Sequence, residues 1–276
     1  SSEPQGHEMW IRTGLKTSLD IFVDKPLIAR PAVTLKRSVS NEVYQVTQEF
    51  VRAQKARASG KLFIGLDRPV TSVGREITDW IKINRALNCQ VDFVSASYCF
   101  GEGSLLAEQQ NKENHPYKYG YGILYHSGFH ILDMLSRFLT LGLGQNYDMQ
   151  VQSLAKRVPG VSLQGETSVS SAFLATLGEQ QAIGNVYLSS LGFTRRDNFK
   201  DEIKNPYHQL KKVRAERYEI HMGMHKKLIY TGHNSKKSSQ EDRIEKIEIF
   251  DSSPDRKFDY LVSDHKESGS KLSALE

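Results

Sequence analysis

The sequence predicts an α/β opening followed by an α+β remainder, and three observations carry that expectation. An apolar run ending at Val23, an amphipathic helix and a second apolar run over 61–65 follow in close succession. Strand, helix, strand at that spacing is a βαβ unit, whose natural product is a parallel sheet. From Ile123, apolar residues recur at helical spacing, and from Tyr147 a series of short apolar strands separated by turns argues an antiparallel sheet.

The elements follow in order. Met9, Trp10 and Ile11 belong to a short helix ending near Gly14, a C-terminal cap. Leu19, Ile21, Phe22 and Val23 form an apolar run short enough for a buried strand, and it runs into Asp24-Lys25-Pro26. A charged pair at the carboxyl end of a buried strand is where open α/β sheets place ligand contacts. Pro26 stops the strand and holds Lys25 out of helical geometry. A helix is expected over Ser40–Ser59, with Val43, Val46, Phe50 and Val51 inward, Ser40 capping its start and Gly60 its end. The strand over 61–65 closes at Asp67-Arg68-Pro69, and no GxGxxG occurs anywhere in the chain.

A helix over Arg75–Leu87, marked by Ile77, Trp80 and Ile81, leads to a strand at Val91–Ser97 in which Val91, Phe93 and Ser95 face one way. The polar stretch Gly101–Tyr119 reads as a long loop, of the kind that serves as a binding loop or lid. Strands are expected at Tyr147–Ala155, Val169–Leu177, Ile183–Leu191, Glu216–Met224, Lys227–Tyr230 and Ile244–Phe250. Arg195–Arg214 is a polar excursion between strands, and the tail after Asp264 reads as disordered.

The stretch Tyr117–Asp133, YKYGYGILYHSGFHILD, concentrates polar groups at the start of the apolar helix. Gly120 and Gly122 permit a tight turn or a close backbone approach. Leu124, Ile131, Leu132, Leu135, Phe138 and Leu139 argue one buried stripe, and a continuous helix would put His126, His130 and Asp133 on one face. Such a face is either a site or a solvated surface carrying histidines. A metal would suit the pair His126 and His130, but the zincin pattern needs glutamate where Ser127 stands, so no metal is expected.

Composition narrows the class. The 38% hydrophobic and 25% charged fractions are those of a globular chain, and no apolar run is long enough to span a bilayer. SSEPQGHEMW lacks a charged and then apolar leader, and two cysteines, Cys89 and Cys99, are too few for a disulfide framework, so a cytoplasmic location is expected. The net charge of +5 gathers late, at Lys211-Lys212, Arg214, Arg217, Lys226-Lys227 and Lys236-Lys237. Tyr207, Tyr218 and Tyr230 lie nearby, but no nucleic-acid-binding signature accompanies them, and lysines guarding strand edges explain the pattern without a nucleic-acid partner.

Three blocks in this order resemble the Gfo/Idh/MocA family of nicotinamide-dependent oxidoreductases. SSEP, His7 and GLKTSLDIFVDKPL resemble a strand end and helix before a strand finishing in Glu-Lys-Pro, here Asp24-Lys25-Pro26. LFIGLDRP is similar to the last strand of that family's nucleotide-binding domain, and Gly120–Asp133 to its GGGxLxDxGxHxxD motif. The resemblance implies the C-terminal part of a Rossmann-like parallel sheet over 1–70. It implies an α+β substrate and oligomerisation domain with a large open-faced sheet over 71–264, which leaves 265–276 as the tail. The chain then starts where a fourth nucleotide-domain strand would end, which marks an N-terminally incomplete chain or a degenerate relative.

By the same resemblance, the function is hydride transfer between NAD or NADP and a sugar, polyol or related hydroxy or keto compound. Such chemistry needs a base for the hydroxyl proton and a cation or donor to steady the oxygen. The catalytic residues implied are Lys25, His126 and His130, with His126 standing where the family commonly has an aspartate. Pro4, His7, Asp24, Lys25 and Pro26 would border the cofactor, and Tyr121, His130 and Asp133 the substrate. A histidine base suits neutral pH, and a neighbouring Lys25 ammonium would favour its neutral form. The family's habit implies a homo-oligomer formed through the open sheet. The alternative is a non-catalytic relative that senses a ligand or binds a partner through the same fold.

Overall fold

A computed structural model describes residues 4–66, 68–101, 121–156, 168–189, 213–236, 241–252 and 259–267. They divide into two compact units. Among described residues, 4–66, 121–130 and Lys156 belong to the first; 68–101, 131–155 and the strands from Ser168 onward belong to the second.

The first unit is built on α1 (Pro4–Gly14), β1 (Ile21–Asp24), α2 (Arg37–Ala56) and β2 (Leu62–Gly65). β1 and β2 pair in parallel, from Ile21 opposite Leu62 to Asp24 opposite Gly65, so the expected βαβ unit forms. Its core gathers Ile11, Val23, Ile28, Val33, Val43, Val46 and Phe50, with Tyr121 from the later stretch. The spacing of Val43, Val46 and Phe50 gives α2 one apolar stripe. Val51 lies off that stripe and is 41% exposed, contrary to the expectation. α2 also starts earlier than expected, with Lys36 at its N-cap and no side-chain cap, so Ser40 lies inside the helix. Gly60 serves the turn into β2 and not the helix end: its φ is +77°, and a Cβ would meet Leu19 O at 2.7 Å. Arg57 pins that turn through Thr17 O and Leu19 O, both at 2.7 Å.

β1 corrects the expectation of a buried strand. Only Val23 is buried; Phe22 is 78% exposed and stacks on Phe63 at 4.7 Å. A sheet of two strands packed on one face leaves alternate residues outside, whatever their hydrophobicity.

The second unit holds α3 (Ser72–Ala86), capped by Thr71, whose hydroxyl accepts from Gly74 N at 3.0 Å, then β3 (Val91–Gly101) and most of α4 (Phe129–Gly142). The strands β4 (Asp148–Lys156), β5 (Ser168–Leu177), β6 (Gln180–Ser189), β7 (Val213–Met222), β8 (Lys226–Lys236), β9 (Glu241–Asp251) and β10 (Asp259–Glu267) complete it. One eight-stranded sheet results, in the order β10-β9-β8-β7-β3-β6-β5-β4. β3 is parallel to β6 and antiparallel to β7, while β5–β6, β7–β8, β8–β9 and β9–β10 are antiparallel. Val94, Ala96, Tyr98, Val186, Leu188, Tyr218, Ile220 and Leu228 are buried on one face, with Ile77, Ile81, Phe138 and Leu139 from the helices. Phe138 meets Tyr218 edge-on at 5.3 Å.

Four expectations are corrected in this unit. Phe93 and Ser95 do not share a face with buried Val91, because the ladder shifts register between Val91 and Phe93. Leu132 is 40% exposed, outside the buried stripe of α4. β8 runs on past Tyr230 to Lys236. His265, Lys266 and Glu267 of the expected tail pair as strand with β9, because the ladder supplies partners that the polar sequence did not advertise. Asp67, most of the Gly101–Tyr119 loop, the 195–212 excursion and 268–276 lie outside the described residues.

Candidate active site

β1 delivers Asp24-Lys25-Pro26 at its carboxyl end, and the Lys25–Pro26 peptide is cis. The Lys25 ammonium lies 3.0 Å from Asp24 Oδ1, which also accepts the Lys25 amide at 2.9 Å. Burial acts to raise the Asp24 carboxyl, but the two Lys25 hydrogen bonds, with the charges of Lys25 and His7, outweigh it and hold the group below the usual range. His7 of α1 is 6% exposed, and its Nδ1 donates to Pro26 O at 3.1 Å and Leu27 O at 3.3 Å. The lysine turn is thus fastened from behind by a histidine and bracketed by buried Val23 and Ile28.

The second motif enters the same core. Tyr121 is 1% exposed within the cluster that holds Val23 and Ile28; Tyr125 packs against it, its ring 6.3 Å from that of Tyr121. Gly122 takes φ +60°, a conformation that favours glycine. Leu124–Gly128 then form a π-helical turn before α4 begins at Phe129. The continuous α-helix expected from Ile123 is therefore corrected. A π turn carries one more residue than an α turn, so His126 falls out of α register with His130, and the spacing of i, i+4, i+7 does not apply to it. His130 is half-buried, its ring 4.2 Å from Phe129. The side chains of His126 and Pro4 lie outside the described residues.

Val23, Leu27 and Ile28 around Lys25 thus share one core with Tyr121 and Tyr125, which lead into His126, and His130 belongs to the same unit. Other candidates are placed elsewhere. Asp133 belongs to the second unit, where Arg137 pairs with it at 2.8 Å, one helical turn on. Tyr121 is a core residue, and His7 spends its Nδ1 on backbone carbonyls.

Sequence reasoning missed a buried polar cluster in the second unit. Arg68 pairs with Glu216 at 2.9 Å, Tyr218 donates to the same carboxylate, and Tyr230 donates to Glu245 at 2.7 Å. The two tyrosine rings stack at 5.5 Å, and burial, then Glu216, push the Tyr218 hydroxyl well above its ordinary range. The signal was present: Glu216 is in phase with Tyr218, Ile220 and Met222 on the inward face of β7. Among the described residues, no group of three or more metal-binding side chains gathers and no helix is long and apolar enough to cross a membrane.

No protein-family model and no curated protein matches the chain. Solved structures do. An oxidoreductase from Sinorhizobium meliloti is 10% identical with a TM-score of 0.57, over 95% of this chain and 55% of that one. Levoglucosan dehydrogenase, in complex with NADH and levoglucosan, is 13% identical with a TM-score of 0.59, over 95% and 59%. The transcriptional regulator Gal80p from Kluyveromyces lactis is 13% identical with a TM-score of 0.55, over 95% and 57%. The chain spans between 55% and 59% of the length of these three. The likeness shows the fold: the closing part of a Rossmann-like parallel sheet, followed by an α+β unit with a large, mostly antiparallel sheet.

Proposed function

We propose that this chain carries the substrate-facing part of an oxidoreductase that transfers a hydride between NAD or NADP and a sugar, polyol or related hydroxy or keto compound. The observation that carries this reading is the shared core, which holds the residues around the Lys25 turn at a parallel strand end together with Tyr121 and Tyr125 of the second motif. Likeness in fold to a structure holding NADH and levoglucosan supports it.

The residues present fit one end of the cofactor. Carboxyl ends of parallel strands border a nicotinamide ring in this architecture, and Lys25 there is part-exposed and cationic. No glycine-rich turn for the pyrophosphate occurs among the described residues, so that role is assigned to none of them. The nicotinamide, when bound, supplies the hydride exchange.

The chain's own groups do the rest. Lys25 holds the reacting oxygen through its ammonium, with Asp24 fixing the ammonium's position. His7 keeps the turn in place. His126 takes the hydroxyl proton as base, and His130 donates to a neighbouring substrate oxygen.

Gal80p favours a second reading, a regulator that keeps the fold and binds a ligand or partner without turnover. Titration of the purified full-length protein with NADH and NADPH, followed by nicotinamide fluorescence and then by assay against a panel of polyols and sugars, separates the two. Turnover that falls at least about a hundredfold in Lys25→Ala supports the enzyme; turnover untouched by that change removes Lys25 from the mechanism. Cofactor binding without turnover of any panel member selects the regulator.

A further inference from the structure

Four side chains on adjacent strands stand in one row. Phe93 of β3 is opposite His221 of β7, His221 opposite Lys227 of β8, and Lys227 opposite Phe250 of β9. Their neighbours Val94, Ile220 and Leu228 are buried, so strand alternation turns the row to the other face of the sheet. Phe93 meets the His221 ring edge-on at 5.1 Å, and Lys227 Nζ lies 4.9 Å over the Phe250 ring. With the β7–β8 turn, where Met224 is 94% exposed, the row lines an open basin of about 470 Å³. Small-molecule sites run from roughly 300 to 1,000 Å³.

The charges in this basin differ in what they are doing. Lys226 is committed, to Asn84 at 2.8 Å and Asp251 at 3.7 Å. His221 is held by Glu219 at 2.9 Å. Burial raises the Asp92 carboxyl, against the opposing pull of the Gly223 amide and the His221 charge. Lys227 has no ion pair among the described residues, only the ring of Phe250 beneath it. His225 at the rim spends its carbonyl on Ser252 but has no hydrogen bond to its imidazole among the described residues. An uncommitted ammonium fixed over an aromatic face, beside a second ring, an exposed thioether and an imidazole, is complementary to a flat anion. The ring of such a ligand lies against Phe93 and Met224, and its charge meets Lys227 and His225.

We propose that this basin binds a small planar organic anion, an aromatic ring bearing one phosphate or carboxylate. The site lies wholly in the second unit and does not rest on the oxidoreductase reading.

The test titrates the purified protein with phenyl phosphate and, separately, with benzoate, by calorimetry and saturation-transfer NMR. Saturable one-to-one binding of at least one of them is expected, and the stronger identifies the anionic group. Cyclohexyl phosphate should bind more weakly and inorganic phosphate should not saturate. Lys227→Gln should weaken binding about tenfold, since a hydrogen bond to a charged group is lost, while Lys227→Arg retains it. Lys25→Ala should leave the affinity unchanged. Circular dichroism of the Lys227 variants checks that the substitution leaves the fold intact. The proposal is overturned by absence of saturable binding, or by binding indifferent to Lys227→Gln. It is equally overturned if binding vanishes in step with self-association in sedimentation, which would give this face to a second copy.

Discussion

His7 offers the sharpest test of how the lysine turn is held. Replacing it with alanine removes the donor shared by Pro26 O and Leu27 O, at 3.1 and 3.3 Å, and vacates a site that is 6% exposed. Part-buried carbonyls left without a donor cost about 1–3 kcal/mol, and the emptied ring volume adds to that, for a total of about 2–4 kcal/mol. His7→Asn returns an amide donor near the position of Nδ1 and should recover a good part of the loss, whereas His7→Phe restores volume without a donor. The assay is urea unfolding followed by tryptophan fluorescence in a Trp80→Phe background, which leaves Trp10 of α1 as the reporter of the first unit. Equal losses in His7→Ala and His7→Asn, or a loss below about 0.5 kcal/mol in His7→Ala, would refute the anchoring role. A fall in NADH affinity in His7→Asn at unchanged stability would instead return His7 to direct cofactor contact.

Asp24 titrates below its usual range because Lys25 holds its charged form, so its contribution is complete above the ordinary carboxylate pKa and is lost as pH falls through the lowered one. Lys25→Met should therefore raise the Asp24 midpoint, read by carboxyl carbon NMR; an unmoved midpoint contradicts the pairing. Glu216→Gln leaves Arg68 facing a neutral partner and should cost about 3–5 kcal/mol in chemical denaturation, with Arg68→Met adding less than its own separate cost. Gly184→Ala would set a Cβ 2.0 Å from Val94 O and 2.3 Å from Phe173 Cζ, and the backbone oxygen cannot swing aside. A loss of more than about 3 kcal/mol, or insoluble expression, is expected, and a normal melting curve would show that β6 can shift.

What the sequence disclosed depended on whether period and chemistry agreed. The βαβ opening was legible because Val43, Val46 and Phe50 keep helical spacing between two apolar runs. β10 was not, since SDHKE carries no apolar alternation and is strand by virtue of the β9 ladder. The exposed Phe22 misled for the opposite reason: its hydrophobicity says buried, and only the number of strands and the covered face decide otherwise. At the candidate site, residue types pointed to Lys25 and His130, but the π turn that displaces His126 leaves no mark in a pattern read at 3.6 residues per turn. The service of His7 to two carbonyls likewise arises from a tertiary approach across 19 and 20 positions.

β3 joins two meanders, β4–β5–β6 on one side and β7 to β10 on the other, and the sheet is continuous only through it. In chain order it precedes both. During synthesis β3 therefore leaves the ribosome with neither neighbour in existence, and its bond from Ser95 to Asn185 waits on a partner 90 residues downstream. At ordinary translation speeds that interval is about 5–20 seconds, and β7 arrives later still. Throughout it, the apolar side of Val94, Ala96 and Tyr98 stands beside two open edges, the arrangement most prone to pairing with a neighbouring nascent chain.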